Sequence, residues 1–225
     1  MTLEACGYAV VSALLSHEEV LELREELARV ASEDAREGGV RSLGLKSEVV
    51  RELAVNGAPA ALAREILGSA ARPVKITAFD KTAGANWKVP WHQDLTIAVR
   101  EKRSAEGFGP WSVKDGIPHV QPPAEILSRM LAVRVHLDET PADHGALRVI
   151  PGSHRLGRIA VSDIPEHRAR LGEVTCPVGE GGAMLMRPLL LHASSKSCAG
   201  GHRRVIHIEY AGCDLPCELQ WAAGL

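Results

Sequence analysis

The first third of the chain repeats its apolar residues with a helical period. Ser16 and Glu19 have the spacing of a capping box, and Gly38 and Gly39 end the run. Apolar residues that recur every three or four positions lie on one face of a helix, so this run predicts an amphipathic helix. Its apolar positions are Val20, Leu23, Leu27 and Val30.

Two shorter helical segments follow, over residues 47–53 and 59–67, and Gly68 stops the second one. We therefore expect residues 1–70 to form a helical N-terminal layer. The period then changes at Pro73. From there to Ala211, short apolar and β-branched runs are separated by turn residues such as Pro-Gly and Gly-Gly.

Seven or eight short strands after a helical layer predict a mainly β fold, with a barrel or sandwich core buttressed by helices. A chain of 225 residues suits a single domain over residues 1–225. Residues 100–128 interrupt the strands and are rich in Gly, Pro and charge. A loop of that length is typical of a lid or binding loop, and a mobile surface insertion is the alternative.

Composition excludes several classes of partner. The net charge of −2 provides no basic field for nucleic acid, and no apolar run reaches the length of a membrane span. Five scattered cysteines without a CxxC motif favour reduced thiols, and the N-terminus lacks the features of a signal peptide. The chain is therefore predicted to be cytoplasmic and to act on a small-molecule substrate, while no residue pattern favours a particular oligomeric state.

The candidate chemistry begins in the stretch NWKVPWHQDLTIAV. His92 and Asp94 are two residues apart on a predicted strand, so their side chains share one face. His192 closes a second apolar strand, where an imidazole needs a polar partner. Two histidines and one carboxylate form the facial triad of non-haem iron(II) sites. Arg203 follows His192 by eleven residues and could pair with the carboxylate of a 2-oxo acid co-substrate.

Three segments resemble a known family: VPWHQD, HGALRVIPGSH and HASSKSCAGGHRR. They resemble the phytanoyl-CoA dioxygenase family of iron(II)- and 2-oxoglutarate-dependent oxygenases, over residues 74–211. The resemblance implies a double-stranded β-helix (jelly-roll, cupin-like) core over residues 73–211. It also implies that Fe(II), 2-oxoglutarate and O₂ are the cofactors and that His92, Asp94 and His192 are the catalytic iron ligands.

The same resemblance assigns further roles by position. Arg203 matches the arginine that binds the C5 carboxylate of 2-oxoglutarate, Ser194 matches a hydroxyl beside the co-substrate, and Trp111 matches a tryptophan there. The chain departs from the family at His144, where asparagine is common. Asp94 is intact, and related halogenases replace this carboxylate, so hydroxylation is favoured over halogenation.

Substrate contacts are predicted from strand parity. Arg203 and His207 share a face, so His207 either touches the substrate or is a hydrogen-bonded core histidine. In LAVRVHLDE, Arg134 and His136 lie on a polar face that could line the pocket, although solvent exposure is the favoured interpretation. These residues point to a small polar or carboxylated metabolite. Lys81 is expected to be a loop charge, and a charge at the entrance of the pocket is the alternative.

The sequence thus predicts a dioxygenase that hydroxylates a C–H bond of a small metabolite while 2-oxoglutarate is decarboxylated to succinate. Two alternatives remain. One is a cupin-type metal enzyme that does not use 2-oxoglutarate and would not need Arg203. The other is a non-catalytic binding or sensing module on the same fold.

Overall fold

A computed structural model describes residues 2–33, 38–198 and 201–222 of the chain. Its helices are α1 (Leu3–Cys6), α2 (His17–Glu33), α3 (Leu43–Lys46), α4 (Glu48–Asn56), α5 (Ala58–Leu67), α6 (Ala124–Ser128) and α7 (Ile164–Leu171). Its strands are β1 (Tyr8–Val11), β2 (Gly39–Arg41), β3 (Arg72–Lys81), β4 (Val89–His92), β5 (Ile97–Ala98), β6 (Trp111–Lys114), β7 (Ile117–Val120), β8 (Met130–His136), β9 (Leu147–Val149), β10 (Val174–Cys176), β11 (Ala183–Met186), β12 (His192–Ser194) and β13 (Arg203–Ala211).

The described strands form three antiparallel sheets. The largest has the order β1-β11-β8-β13-β3-β2, the second β10-β9-β12-β4 and the third β5-β7-β6. The second sheet faces the first, because an apolar cluster joins Ala132, Met184 and Met186 of the large sheet to Leu147 and Val149 of the smaller one. The space between these two sheets holds the candidate site.

Helices α2, α4 and α5 cover the other face of the large sheet, as the sequence predicts. Their apolar stripes pack with that sheet in one buried cluster, which is how an amphipathic helix gains most of its stability. Ser47 caps α4 by accepting a hydrogen bond from the Val50 amide, and Tyr210 of β13 donates to the carbonyl of Ala54. Positions 34–37 of the predicted first helix lie outside the described residues. None of the described helices has the length and apolar character to cross a membrane.

Alternation along the long strands sends two kinds of side chain in opposite directions. Apolar residues such as Val133 and Ile206 pack under the helices. Their neighbours Arg134, His136 and Arg203 point between the two sheets, and all three are buried. The favoured prediction that Arg134 and His136 occupy a solvent-exposed face is therefore wrong, because the second sheet covers that face.

Two segments differ from the sequence-based expectations. The N-terminal layer is not purely helical, because β1 and β2 add to opposite edges of the large sheet. Residues 100–128 are not a structureless loop, since they contain β6, β7 and α6. Asp115 and Gly116 both have positive φ and connect β6 to β7, and Asp-Gly is a strong signal for a tight hairpin of this kind. Whether this segment acts as a lid stays a prediction.

Candidate metal centre and its two cavities

His92, Asp94 and His192 converge at one point between the sheets. His92 ends β4 and pairs in register with His192, the first residue of β12. Each of the three offers a ligand atom, and these atoms lie within 4.8 Å of one another. Nε2 of His92 lies 3.6 Å from Oδ1 of Asp94, and Nε2 of His192 lies 3.7 Å from Oδ2. The arrangement presents two imidazole nitrogens and a carboxylate to one small volume.

Backbone carbonyls fix the orientation of both imidazoles. Nδ1 of His92 lies 2.9 Å from the carbonyl oxygen of Pro90, and Nδ1 of His192 lies 2.9 Å from that of Leu190. A carbonyl can only accept, so each Nδ1 carries the proton and each Nε2 presents a lone pair towards Asp94. Such a hydrogen bond to the distal nitrogen is typical of metal-binding histidines. These two partners could not be identified from the sequence.

Charge at this point favours an ionised Asp94 carboxylate beside a neutral His192 imidazole. Burial alone would raise the pKa of Asp94, but His192, His207, His92 and Lys75 outweigh it and hold that pKa below its ordinary value. Burial lowers the pKa of His192 to about 4, against the opposing attraction of Asp94. Deprotonated imidazole and ionised carboxylate are the forms that bind a metal.

The side chain of Gln93, for which the sequence suggests no role, makes three hydrogen bonds next to the candidate metal centre. Its side-chain amide donates to the carbonyls of Leu189, at 2.6 Å, and Gly157, at 2.8 Å. Its oxygen accepts from the backbone amide of Ile159 at 2.8 Å. The backbone amide of Asp94 also donates to the carbonyl of Pro188 at 2.9 Å. The residue between the two predicted ligands therefore ties β4 to the segments that lead into β12 and α7.

An inner cavity of about 220 Å³ extends from the three residues towards Arg203, the first residue of β13. Arg203 lines this cavity, and its Nη1 donates to the carbonyl of Gly145 at 2.9 Å. Nζ of Lys81 donates to Oγ of Ser194 at 3.0 Å and to the carbonyl of Ser195 at 2.6 Å. The expectation that Lys81 is a loop charge is wrong, because it is 1% exposed at the end of β3.

Gly145 explains part of the HGALRVIPGSH motif. Its φ is +73°, a conformation that L side chains rarely adopt, and a Cβ there would lie 2.9 Å from the carbonyl oxygen of Ser195. Glycine therefore allows the turn before β9 to approach both Ser195 and Arg203. Ser153 of the same motif accepts a hydrogen bond from the backbone amide of Leu191, just before the distal histidine.

The inner cavity concentrates positive charge. Burial lowers the pKa values of Arg134 and Arg203 to about 10 each, and it lowers that of Lys81, together with Arg203 and Arg134, to about 8. The Nε atoms of both arginines are buried and have no hydrogen-bond partner among the described residues. Buried donors are normally satisfied, so this cavity has the chemistry of a site for an anion.

A chain of polar contacts crosses the wall between the strands. Nη1 of Arg134 donates to Nδ1 of His207 at 2.9 Å, which leaves the proton of a neutral His207 on Nε2, 3.5 Å from Oε1 of Glu209. Glu209 accepts in turn from Nζ of Lys75 at 2.5 Å. His207 and Arg134 therefore line the inner cavity, together with Glu209, which the sequence placed on that face without a role, and Lys75, which it did not predict. Strand parity on β13 carries Glu209 to the same face as Arg203.

Two predicted site residues lie elsewhere among the described residues. His136 is buried beyond the cavity lining, and its Nδ1 lies 2.9 Å from Oγ1 of Thr140. Trp111 packs in an apolar cluster under β5 and β7, with Nζ of Lys102 at 5.9 Å from its ring centroid. Trp87, rather than Trp111, lines the inner cavity and lies 5.5 Å from Nζ of Lys81. A role for Trp111 or His136 in binding stays a prediction.

A second, outer cavity of about 340 Å³ opens on the other side of the centre. It shares Lys75, His92, Asp94 and Glu209 with the inner cavity. The rest of its lining comes from the segment after β4 and from the β6–β7 hairpin: Gln93, Leu95, Thr96, Lys114 and Gln121.

Solved structures share the fold of this chain. The epimerase SnoN from nogalamycin biosynthesis, in complex with Fe3+, alpha ketoglutarate and nogalamycin RO, has a TM-score of 0.72 at 22% identity, covering 99% of this chain and 92% of SnoN. EctD from S. alaskensis with 2-oxoglutarate and 5-hydroxyectoine has a TM-score of 0.70 at 21% identity, covering 93% and 73%. The predicted mainly β fold with a jelly-roll core is confirmed.

Sequence comparison also finds proteins similar to this chain. The ectoine dioxygenase of Nocardia farcinica (strain IFM 10152) is 26% identical over 174 residues, covering 68% of this chain. The chain matches only 49% of the length of that curated relative. The family model described as phytanoyl-CoA dioxygenase matches residues 3–205. A match over most of the chain shows that this protein belongs to the phytanoyl-CoA dioxygenase family.

Proposed function

We propose that this protein is an iron(II)- and 2-oxoglutarate-dependent oxygenase that hydroxylates a C–H bond of a small-molecule metabolite. One observation carries the proposal: His92, Asp94, His192 and Arg203 all face one inner cavity of about 220 Å³. A metal triad and a buried arginine are the two requirements of a site that joins iron to a dicarboxylate co-substrate.

The donor set fits iron(II). Two neutral imidazoles and one carboxylate leave further coordination positions open, which distinguishes this triad from the closed four-ligand sites of structural zinc. His92, Asp94 and His192 would hold the ion. Bound iron would supply dioxygen activation coupled to the oxidative decarboxylation of 2-oxoglutarate to succinate.

The residues around Arg203 fit 2-oxoglutarate. A guanidinium pairs with a carboxylate in a planar, bidentate manner, and Arg203 has a buried Nε without a partner in the described structure. Oγ of Ser194 and Nζ of Lys81 lie beside each other in the same cavity. Lys81, Arg134 and Arg203 thus contribute three buried cations to the lining of this cavity. A dianionic ligand suits them because it supplies the opposite charge that a buried cation needs.

Apolar side chains restrict water at the centre. Phe79, Trp87, Val89 and Leu147 line the inner cavity, and the Trp87 ring packs over Gly38, where a Cβ would lie 2.5 Å from it. A dry site strengthens the electrostatic interactions within it and limits side reactions. The remaining task of the chain is to place one substrate C–H bond near the metal.

The relatives support this chemistry without fixing the outcome. SnoN is described with Fe3+ and alpha ketoglutarate but is an epimerase, whereas EctD is described with 2-oxoglutarate and 5-hydroxyectoine. Asp94 keeps the carboxylate ligand, which favours hydroxylation over halogenation. Hydroxylation is therefore the part of the proposal that the product analysis must test.

The test begins with anaerobic addition of Fe(II) and 2-oxoglutarate to the full chain. We expect a weak visible metal-to-ligand charge-transfer band that requires both additions, and its absence in Asp94→Ala. In air, a substrate should stimulate succinate formation and gain one oxygen atom from isotope-labelled dioxygen. A folded, iron-loaded protein that shows neither the band nor succinate would overturn the proposal.

The same experiment separates the alternatives. A cupin-type enzyme would bind iron and show activity that does not depend on 2-oxoglutarate or on Arg203. A binding or sensing module would bind a ligand without forming succinate. If the product is oxidised but gains no oxygen atom, the proposed use of iron and 2-oxoglutarate stands, and only the proposed hydroxylation is rejected.

A further inference from the structure

The outer cavity has a lining suited to a polar ligand. Of its nine lining residues, Leu95 is the one with an aliphatic side chain. Its volume of about 340 Å³ is at the small end of the range for ligand sites, about 300–1,000 Å³. A cavity of this size and polarity suits a small polar metabolite better than a long acyl chain.

Most charges of this cavity are already compensated. Glu209 is paired with Lys75 at 2.5 Å and approached by His207 at 3.5 Å. Asp94 lies between the imidazoles of His92 and His192. Lys75 and Glu209 therefore offset each other on the wall that the two cavities share, and a bound metal cation would offset Asp94.

Lys114 is the exception. Its ammonium is half-buried at the end of β6, and its hydrogen bond within the described structure is to the neutral Oγ1 of Thr96 at 3.2 Å. Burial, then Lys75 and Arg41, lower the pKa of Lys114 against the opposing attraction of Glu209 and Asp94. No carboxylate oxygen of the described residues lies within ion-pair distance of its Nζ. Removing an ammonium from water without an anion is unfavourable, and an anionic ligand would relieve that cost.

A neutral hydrogen-bonding group lies on the same side of the cavity. The side chain of Gln121 faces it and makes no hydrogen bond to any described residue, while the backbone of Gln121 is fixed by contacts with Gly109 and Pro110. Lys114 pairs with Ile117 at the tip of the hairpin, and the period of two places Gln121, four residues after Ile117, on the same face. Lys114, Gln121 and Thr96 together can surround a carboxylate with one charged and two neutral donors.

We propose that the outer cavity binds the primary substrate and that Lys114, with Thr96 and Gln121, recognises a carboxylate on it. The substrate class is then a small carboxylate-bearing metabolite, and the other end of the molecule lies towards His92 and Asp94. This inference rests on the proposed function for the identity of the inner cavity, but Lys114 itself belongs to the outer cavity alone.

The test uses the full chain loaded anaerobically with Fe(II) and saturating 2-oxoglutarate, so that the inner cavity is filled. The probes are a panel of small amino and hydroxy acids, each paired with its primary amide, and binding is followed by saturation-transfer NMR. We expect acids to bind and their amides to bind at least tenfold more weakly. Lys114→Met should weaken the bound acids at least tenfold, while Lys114→Arg should retain them.

Lys46→Met is the matched control, because Lys46 is exposed on α3 and lines neither cavity. It should bind the acids like the wild type, and all variants should keep the wild-type affinity for 2-oxoglutarate. The proposal is overturned if amides bind as well as acids, if Lys114→Met changes nothing, or if no acid binds to the loaded protein.

Failure of the proposed function gives a different result. If the wild type does not bind 2-oxoglutarate, the panel is repeated with Arg203→Met, in which the inner cavity has lost its buried arginine. Acid binding that still requires Lys114 would then support the outer site on its own. Acid binding that is absent or independent of Lys114 would reject it.

Discussion

The inner and outer cavities share Lys75, His92, Asp94 and Glu209 but are built from different kinds of structure. One wall of the inner cavity is formed by β3, β8 and β13, and β13 pairs with both β3 and β8 in the centre of the large sheet. The outer cavity is completed by Lys114 and Gln121, from a hairpin and the turn after it. The candidate metal centre therefore faces the strands of the large sheet on one side and a connecting segment on the other.

This difference separates two tasks. Groups that must hold a fixed geometry are best placed on strands, because packing within the sheet locks the rotamers of their side chains. Groups that decide which substrate is accepted are commonly carried by connecting segments, which can change without disturbing the core. In this protein, Arg203 and Ser194, the predicted co-substrate contacts that line the inner cavity, lie on the first kind of structure, and the substrate contacts we infer lie on the second.

Arg203→Met should produce the largest change and affect the inner cavity alone. Loss of the buried guanidinium removes a charge-assisted pair to the co-substrate, an effect on the order of 3 kcal/mol, or about 100-fold in affinity. We therefore expect the KM for 2-oxoglutarate to rise about 100-fold while Fe(II) binding is retained. Steady-state kinetics and metal titration measure the two.

Arg155→Met serves as the control, since Arg155 is exposed and lines neither cavity. Unchanged affinity for 2-oxoglutarate in Arg203→Met would show that the co-substrate does not use the inner cavity. Weaker binding of carboxylic acids to the outer cavity in this variant would show that the two cavities do not act separately.

Lys81→Met should have a smaller effect on the same cavity, about tenfold on the KM for 2-oxoglutarate, because Arg203 remains. It should also change the pH dependence. Burial, with Arg203 and Arg134, lowers the pKa of Lys81 to about 8, so the free protein loses this cation as the pH rises through that value. The affinity of the wild type for 2-oxoglutarate should therefore fall above about pH 8, and that fall should be absent in Lys81→Met.

Lys88→Met is the matched control for Lys81→Met, because Lys88 is exposed in the segment that connects β3 to β4 and lines neither cavity. It should keep both the affinity and the pH profile of the wild type. An alkaline fall that persists in Lys81→Met would assign the titration to another group.

The two cavities also differ in how far the sequence predicted them. Periodicity alone predicted the long strands and, through parity, placed Arg203 and His207 on one face. Residue types and spacing predicted the triad of His92, Asp94 and His192, and the family resemblance added the predicted role of Ser194. The inner cavity was thus predictable because a period of two fixes direction along a long strand.

The remaining features depend on long-range packing. Whether Arg134 faces solvent or a cavity is decided by the second sheet, which no local pattern describes. Lys81 precedes a loop in the sequence, and only pairing with Arg203 across β3 and β13 shows it to be buried. The hairpin of the outer cavity had a local signal in Asp115 and Gly116, but the surrounding Gly, Pro and charged residues favoured a loop.

The smallest effect is expected when the ion pair of Arg204, which faces away from the inner cavity, is weakened by a substitution of Asp138. Arg204 donates to Asp138 from its backbone amide at 2.7 Å, Nε at 2.9 Å and Nη2 at 2.7 Å, and Nη2 of Arg24 lies 3.0 Å from the same carboxylate. Asp138→Asn should lower the free energy of unfolding at neutral pH by about 1–2 kcal/mol. The KM for 2-oxoglutarate should not change, because Asp138 lines neither cavity.

The pH dependence of this loss follows from the direction of the pKa shift. Burial raises the pKa of Asp138, but the hydrogen bonds and charge of Arg204, with Arg24, lower it below the ordinary value of 3.8. A lowered pKa in the folded state contributes stability that is complete above the unfolded value and is lost as the pH falls through the folded one. Urea unfolding of wild type and Asp138→Asn should therefore differ at neutral pH and converge below about pH 4. A difference in stability that is the same at every pH would show that the charge of Asp138 does not cause it. An accompanying rise in the KM for 2-oxoglutarate would show that β13 does not separate binding on one face from stability on the other.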